Sequence, residues 1–314
     1  MTPASRLPGG LRRRHVVALL LAVVVLLGTA VVGTDAFGSR ERLQSLARRV
    51  ELFIDPPPDR AIAAAVLVTP EPGDENDPLD APTIDPSESP SLAPGETAPP
   101  VPTATPAPQR VKVDVNLLKK PERWFITEID KEWCAVAGTQ MVLAIHGKAD
   151  LTEAFQKKLA GRIGEWESRR DSLNGDWGPS AMVKALEAYG VPGYEVRAYQ
   201  TRASALKDAA KAISRFHAPV ILLAWRGAHT WVMTGYRADA DPLVFRNARI
   251  SGAYILDPWY PRVSSIWGPS DPPGTYQNGD EMRRNYLPWR RPEGRYPDRD
   301  GLFIAVVPTQ ALNR

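Results

Sequence analysis

The chain has one cysteine, Cys134, among 314 residues. A single cysteine excludes an internal disulfide framework. It also excludes a lipoprotein signal, because no cysteine stands near the end of the N-terminal apolar stretch to take a lipid. Charge of one sign is lacking too: 39 Lys and Arg against 36 Asp and Glu leave a net +3. That balance is too small and too scattered to form the basic face that nucleic acid requires, so no nucleic-acid partner is expected. From residue 61 to residue 109 there is no Lys or Arg at all. No internal repeat is visible.

What is present is unevenly spread. Residues 1–14 carry Arg6, Arg12, Arg13 and Arg14, which mark a basic cytoplasmic N-terminus. Residues 15–34, HVVALLLAVVVLLGTAVVGT, are about 20 apolar residues, enough to cross a hydrocarbon core as a helix. They read as a single-pass anchor or as a signal peptide, with a weak cleavage site at Thr34-Asp35-Ala36. Either way the remainder is exported: a cell-membrane protein with its C-terminal part extracytoplasmic, or a secreted one. Residues 39–53 form either a short amphipathic helix at the membrane surface or a solvated stalk. Many of the 31 prolines fall in residues 35–109, with Ala, Thr, Ser and acids. Such a stretch buries too little apolar surface to offset its ordering entropy, so it is expected to be a disordered spacer. The run at residues 61–68, AIAAAVLV, does not fit that description and stays unassigned.

Residues 110–314 have the patterning of one folded domain. Residues 111–115 alternate like an edge strand. A helix apolar on nearly every side begins at Cys134 and closes at His146-Gly147. Further helices are expected at 151–169, from Pro179 to Gly190, and at 203–216. Strands follow at 220–225, 229–236, 253–257 and 302–307. Helices first and strands later predict an α+β fold with an antiparallel sheet.

Exported proteins usually carry cysteines in pairs, so an unpaired one is either a reactive thiol or a small buried apolar residue. Cys134 opens a helix, where the dipole and the unpaired N–H groups favour a thiolate and can receive an oxyanion. A nucleophilic thiol needs a base. Of the four histidines, His15 lies at the membrane, His146 at the far end of the same helix, and His217 at a helix end. His229 opens a strand after a glycine turn and is either that base or a satisfied sheet histidine. Asp257 ends the next strand, where it either orients the imidazole or opens an Asp-Pro turn.

Trp133-Cys134, the strand Ala228-His229-Thr230-Trp231-Val232 and Asp257-Pro258-Trp259 together resemble papain-like cysteine peptidases of the C39-like type. The helix beginning Gly178-Pro179 and the last strand suit it as well. The resemblance spans residues 110–308. It implies a papain-like fold, with a buried N-terminal helix packed on an antiparallel sheet, and a peptidase acting on peptide or protein substrate through Cys134, His229 and Asp257. It implies neither cofactor nor metal. One residue departs from the pattern. The family carries a glutamine six residues before the cysteine as an oxyanion donor, and here that place is held by Glu128. An ionised carboxylate donates no hydrogen bond. Either burial keeps Glu128 protonated, or the alignment shifts by a turn, or the site is impaired. A cell-wall peptidoglycan amidase of related fold and an inactive binding module are the alternatives. The Trp- and Arg-rich stretch 262–300, with Trp267, Tyr276, Trp289, Arg290 and Arg291, either lines the cleft or covers the domain as loop.

Overall fold

The computed structural model describes residues 59–71, 108–172, 177–290 and 295–311, together with Ala47, Val50 and Ile54. The expected membrane segment, residues 15–34, and most of the spacer lie outside the described residues. Among those described, no helix is long and apolar enough to cross a membrane. Two units are distinguished, Met1–Pro57 and Pro58–Arg314. In the first, Ala47, Val50 and Ile54 are helical and exposed.

The second unit is organised around strands buried on both faces, β4 (Val220–Ala224) and β10 (Phe303–Pro308). Its strands are β1 (Val66–Val68), β2 (Val113–Asn116), β3 (Tyr194–Tyr199), β4 (Val220–Ala224), β5 (His229–Ala238), β6 (Ile250–Leu256), β7 (Val263–Ser264), β8 (Gly268–Pro269), β9 (Thr275–Asn278) and β10 (Phe303–Pro308). The main sheet runs β1-β3-β10-β4-β5-β6-β9, with β2 also paired to β5. Its pairs are antiparallel apart from β1, which runs parallel to β3. Helices are α1 (Cys134–Ile145), α2 (Glu153–Ala160), α3 (Pro179–Ala188), α4 (Arg202–Phe216) and α5 (Gly279–Asn285). In β4 every residue is buried. Ile221 and Leu223 join a core with α1, α2 and α3, while Val220, Leu222 and Ala224 join a second core with α4 and α5. Strand alternation thus places one helical layer on each face of the sheet.

The helix starting at Cys134 is nearly apolar all round because it is the central one: ten of its residues, Ala135 to Ala144, are buried. It approaches β5 closely at Gly138, where a Cβ would stand 2.6 Å from Thr230 Cγ2. The helix expected over 151–169 is shorter. It ends at Gly161, and a separate short turn, Ile163–Glu165, follows. The unassigned run at 61–68 supplies β1, so the described residues 59–71 belong to the folded unit and the domain begins well before residue 110. Apolar side chains at 63 and 65 meet the α3 side of the core, which accounts for a run too apolar for a spacer.

Candidate active site

Cys134 occupies the first position of α1. The preceding Trp133 offers no side-chain cap, so the first-turn N–H groups are left for another acceptor. Cys134 is a free, half-buried thiol that lines a 790 Å³ cleft.

His229 opens β5 and is 2% exposed, and Asp257, just past β6, is 6% exposed. Antiparallel pairing of β5 with β6 brings the ends of the two strands together. The result is a hydrogen bond of 2.7 Å between His229 Nε2 and Asp257 Oδ1. Asp257 Oδ1 also accepts from the backbone N–H of Trp259 at 2.9 Å. With Nε2 occupied, Nδ1 is the ring nitrogen left for a second partner. Burial opposes the charge on His229, but the Asp257 carboxylate and its hydrogen bond, with Cys134 adding to them, push its pKa up to about 10. The Trp225 ring stacks on the imidazole at 4.0 Å between centroids, and Trp267 stacks on Trp225 in turn at 5.8 Å. Trp225 is itself aimed by a backbone in the left-handed region at Trp225, Arg226 and Gly227 (φ 50, 62 and 84). Gly227 admits no side chain, because a Cβ would stand 2.2 Å from the Trp289 ring.

Glu128 is completely buried. Its Oε1 accepts from Arg262 Nη1 at 3.0 Å, and its carbonyl accepts from Arg262 Nη2 at 2.9 Å. Its loop is tied down by the Glu128 N–H to the Pro258 carbonyl and by Ile129 N–H to Gln156 Oε1 at 2.8 Å. Gln156 reaches on to Gln140 of α1 at 3.2 Å. Burial pushes the Glu128 carboxyl up to about 8; His229 and Arg262 pull it down, while Asp257 and Asp130 add to the rise.

A Glu128 carboxyl oxygen, Cys134 Sγ and a His229 ring nitrogen all lie within 4.8 Å of one another. The spacing suits acyl transfer. It suits a cation poorly, since the Arg262 guanidinium on Glu128 opposes a second positive charge. The four residues singled out in the sequence are therefore neighbours. Trp267, Trp289 and Arg290 line the cleft. Tyr276 does not: it sits on β9 under the Arg237 guanidinium. Arg291 lies outside the described residues.

Arg262, Trp225 and the buried pair Asp171–Arg299 were not legible as site components. Asp171 caps α3 through the N–H groups of Ser180 and Ala181 and accepts from Arg299 Nη2 at 2.8 Å, which holds a stretch of the cleft lining. Pairs made across more than a hundred residues leave no local signal; the Trp–Arg richness of 262–300 was the only hint.

No curated protein matches the sequence. Among solved structures, a double glycine motif protease from an AMS/PCAT transporter, in complex with its leader peptide, aligns at 19% identity over 59% of this chain and 91% of that one, with a TM-score of 0.29. Residues 113–277, over half of the chain, match the Peptidase C39-like family, and the chain belongs to that family.

Proposed function

We propose that the chain is a cysteine peptidase that hydrolyses peptide bonds through Cys134, His229 and Asp257. The observation that carries this reading is the buried His229–Asp257 pair at 2.7 Å with the Cys134 thiol beside it in the lining of the cleft. His229 takes the Cys134 proton, and the thiolate attacks the substrate carbonyl carbon. The tetrahedral intermediate collapses as the imidazolium protonates the leaving amine, and water, activated by His229, releases the thioester acyl group. Asp257 holds the imidazole in the tautomer and orientation that this shuttle needs. Trp225, stacked on the ring at 4.0 Å, opposes its rotation about the Cβ–Cγ bond. Family membership favours a peptide or protein substrate.

The test uses the full chain. Cys134→Ala should abolish hydrolysis of a peptide mixture. His229→Ala should slow it roughly 10²–10⁴-fold and should change the pH dependence of Cys134 alkylation by iodoacetamide. An alkylation profile that His229→Ala leaves untouched would sink the reading and favour a binding module, which an ionised Glu128 would suit. The same proposal places the domain outside a membrane, supported by the apolar run at 15–34. Recovery in the cytosolic fraction of a chain expressed with that run would contradict it.

A further inference from the structure

Glu128 is fully buried, yet only half of its carboxyl is used. Oε1 is engaged by Arg262, whereas Oε2 is buried with no hydrogen-bond partner. A polar atom buried without a partner is costly to leave so. This one belongs to a group within 4.8 Å of both Cys134 Sγ and His229, in the place where the family's oxyanion donor is expected. Arg262 only donates hydrogen bonds, so Oε1 must be the acceptor. A proton on the carboxyl therefore belongs on Oε2.

We infer that Glu128 is a catalytic residue in its neutral form, donating a hydrogen bond from Oε2 to the oxyanion that forms when Cys134 attacks a carbonyl. The inference rests on the peptidase reading above and deepens it. In the step, the Sγ–C bond forms and the carbonyl π pair moves onto oxygen. Glu128 donates a hydrogen bond without giving up its proton, alongside the uncapped N–H groups at the start of α1. When the intermediate collapses, the pair returns to the carbonyl, the C–N bond breaks, and the amine takes the proton from His229. Glu128 ends the step as it began it.

Burial supports the neutral form, raising the carboxyl to about 8. The groups facing it come from every side. Arg262, after β6, and His229, on β5, favour ionisation, whereas Asp257, past β6, and Asp130, in the same loop, oppose it. The Cys134 thiol faces it from α1. Above the midpoint the carboxylate would repel the oxyanion, so this enzyme carries an alkaline limit that a glutamine would not impose. The His229 midpoint near 10 is distinct from it.

The full-length protein can be tested with a peptide aldehyde, which adds to Cys134 as a thiohemiacetal bearing the same oxygen. Wild type should bind it roughly tenfold more weakly at about pH 9 than at about pH 7, as a group titrating near 8 requires. In Glu128→Gln that tenfold fall should vanish. Glu128→Ala should weaken binding roughly 10²-fold at about pH 7. Iodoacetamide alkylation forms no oxyanion, so aldehyde affinity should fall relative to alkylation rate; a merely displaced site would lower both together. The assignment is overturned if Glu128→Gln keeps the alkaline fall, or if it binds tighter than wild type at both pH values, which would make Glu128 an obstruction. Failure of the peptidase reading looks different: no thiohemiacetal forms in any of the proteins, wild type included, and the assignment goes with it.

Discussion

A carboxyl that titrates near 8 inside the domain couples its proton to folding as well as to chemistry. Below the ordinary carboxylate value of 4.5, Glu128 is protonated in both folded and unfolded chains, and no penalty arises. Between 4.5 and about 8 the unfolded chain releases the proton while the native state keeps it, so stability falls as pH rises. Above about 8 the penalty is complete and flat. Glu128→Gln removes the titration, so its melting temperature should gain on wild type progressively through this window, by roughly 5 °C or more at its alkaline end. Thermal denaturation at several pH values checks this. A constant offset across the window would mean that Glu128 is not neutral in the native protein. This measurement needs no substrate and is independent of the aldehyde experiment. At the residue scale, the sequence pointed to residues that the structure brings together, but not to their state. Cys134, His229, Asp257 and Glu128 were each legible from position and pattern. The state of Glu128 depends on its burial and on partners such as Arg262, which comes 134 residues later and has no local reason to be its partner.

Among the elements, α1 carries the most consequence, because it both fills the core and presents the thiol. Its place is set by contact with β5, where Gly138 lets the helix backbone approach Thr230 and Val232. Gly138→Ala would put a Cβ 2.6 Å from Thr230 Cγ2, and the two elements must separate. The expected cost is about 1–3 kcal/mol of overpacking, along with slower Cys134 alkylation, because the nucleophile rides on α1 and its base on β5. Urea denaturation and alkylation on the same protein check it; unchanged alkylation with reduced stability would show that β5 follows the helix. The elements that sequence patterning revealed are those whose faces are uniform. They include α1, apolar all round; α4, with Leu206, Ala209, Ala210 and Ile213 buried along one side; and β4, buried throughout. Those it missed are short or carry polar residues engaged elsewhere. In β3, Glu195 and Arg197 pair with each other and Arg197 also with Asp208, which hides a strand behind its charges. In β9, the four residues Thr275–Asn278 are too few and too polar to signal.

Over the whole molecule, the feature least visible in the sequence is the chain that precedes the expected domain. Residues 59–71 cross from one helical neighbour to another. Ser168 Oγ exchanges hydrogen bonds with the backbone N–H and carbonyl of Arg60. Ala63 N–H donates to Ser180 Oγ at 2.8 Å, β1 adds to β3 in parallel, and Lys211 meets Glu71 at 2.7 Å. Ser180 belongs to the first turn of α3, the turn that Asp171 caps and whose Pro179 lines the cleft. The segment therefore braces the part of the cleft lining at the start of α3, as well as lengthening the sheet. Composition alone sets its apolar run apart from the spacer but does not assign it, because a three-residue strand amid proline and acids has no period to detect. Its contribution follows from its bonds: several backbone and side-chain hydrogen bonds at about 0.5–1.5 kcal/mol each, less the entropy of ordering the segment. A chain beginning at residue 110 should therefore unfold at lower urea than one beginning at residue 58, by on the order of 2 kcal/mol. It should also bind substrate more weakly, with the rate of Cys134 alkylation less affected, because α3 forms the wall and not the nucleophile. Identical unfolding midpoints for the two chains would mean that the segment rests on the domain without supporting it.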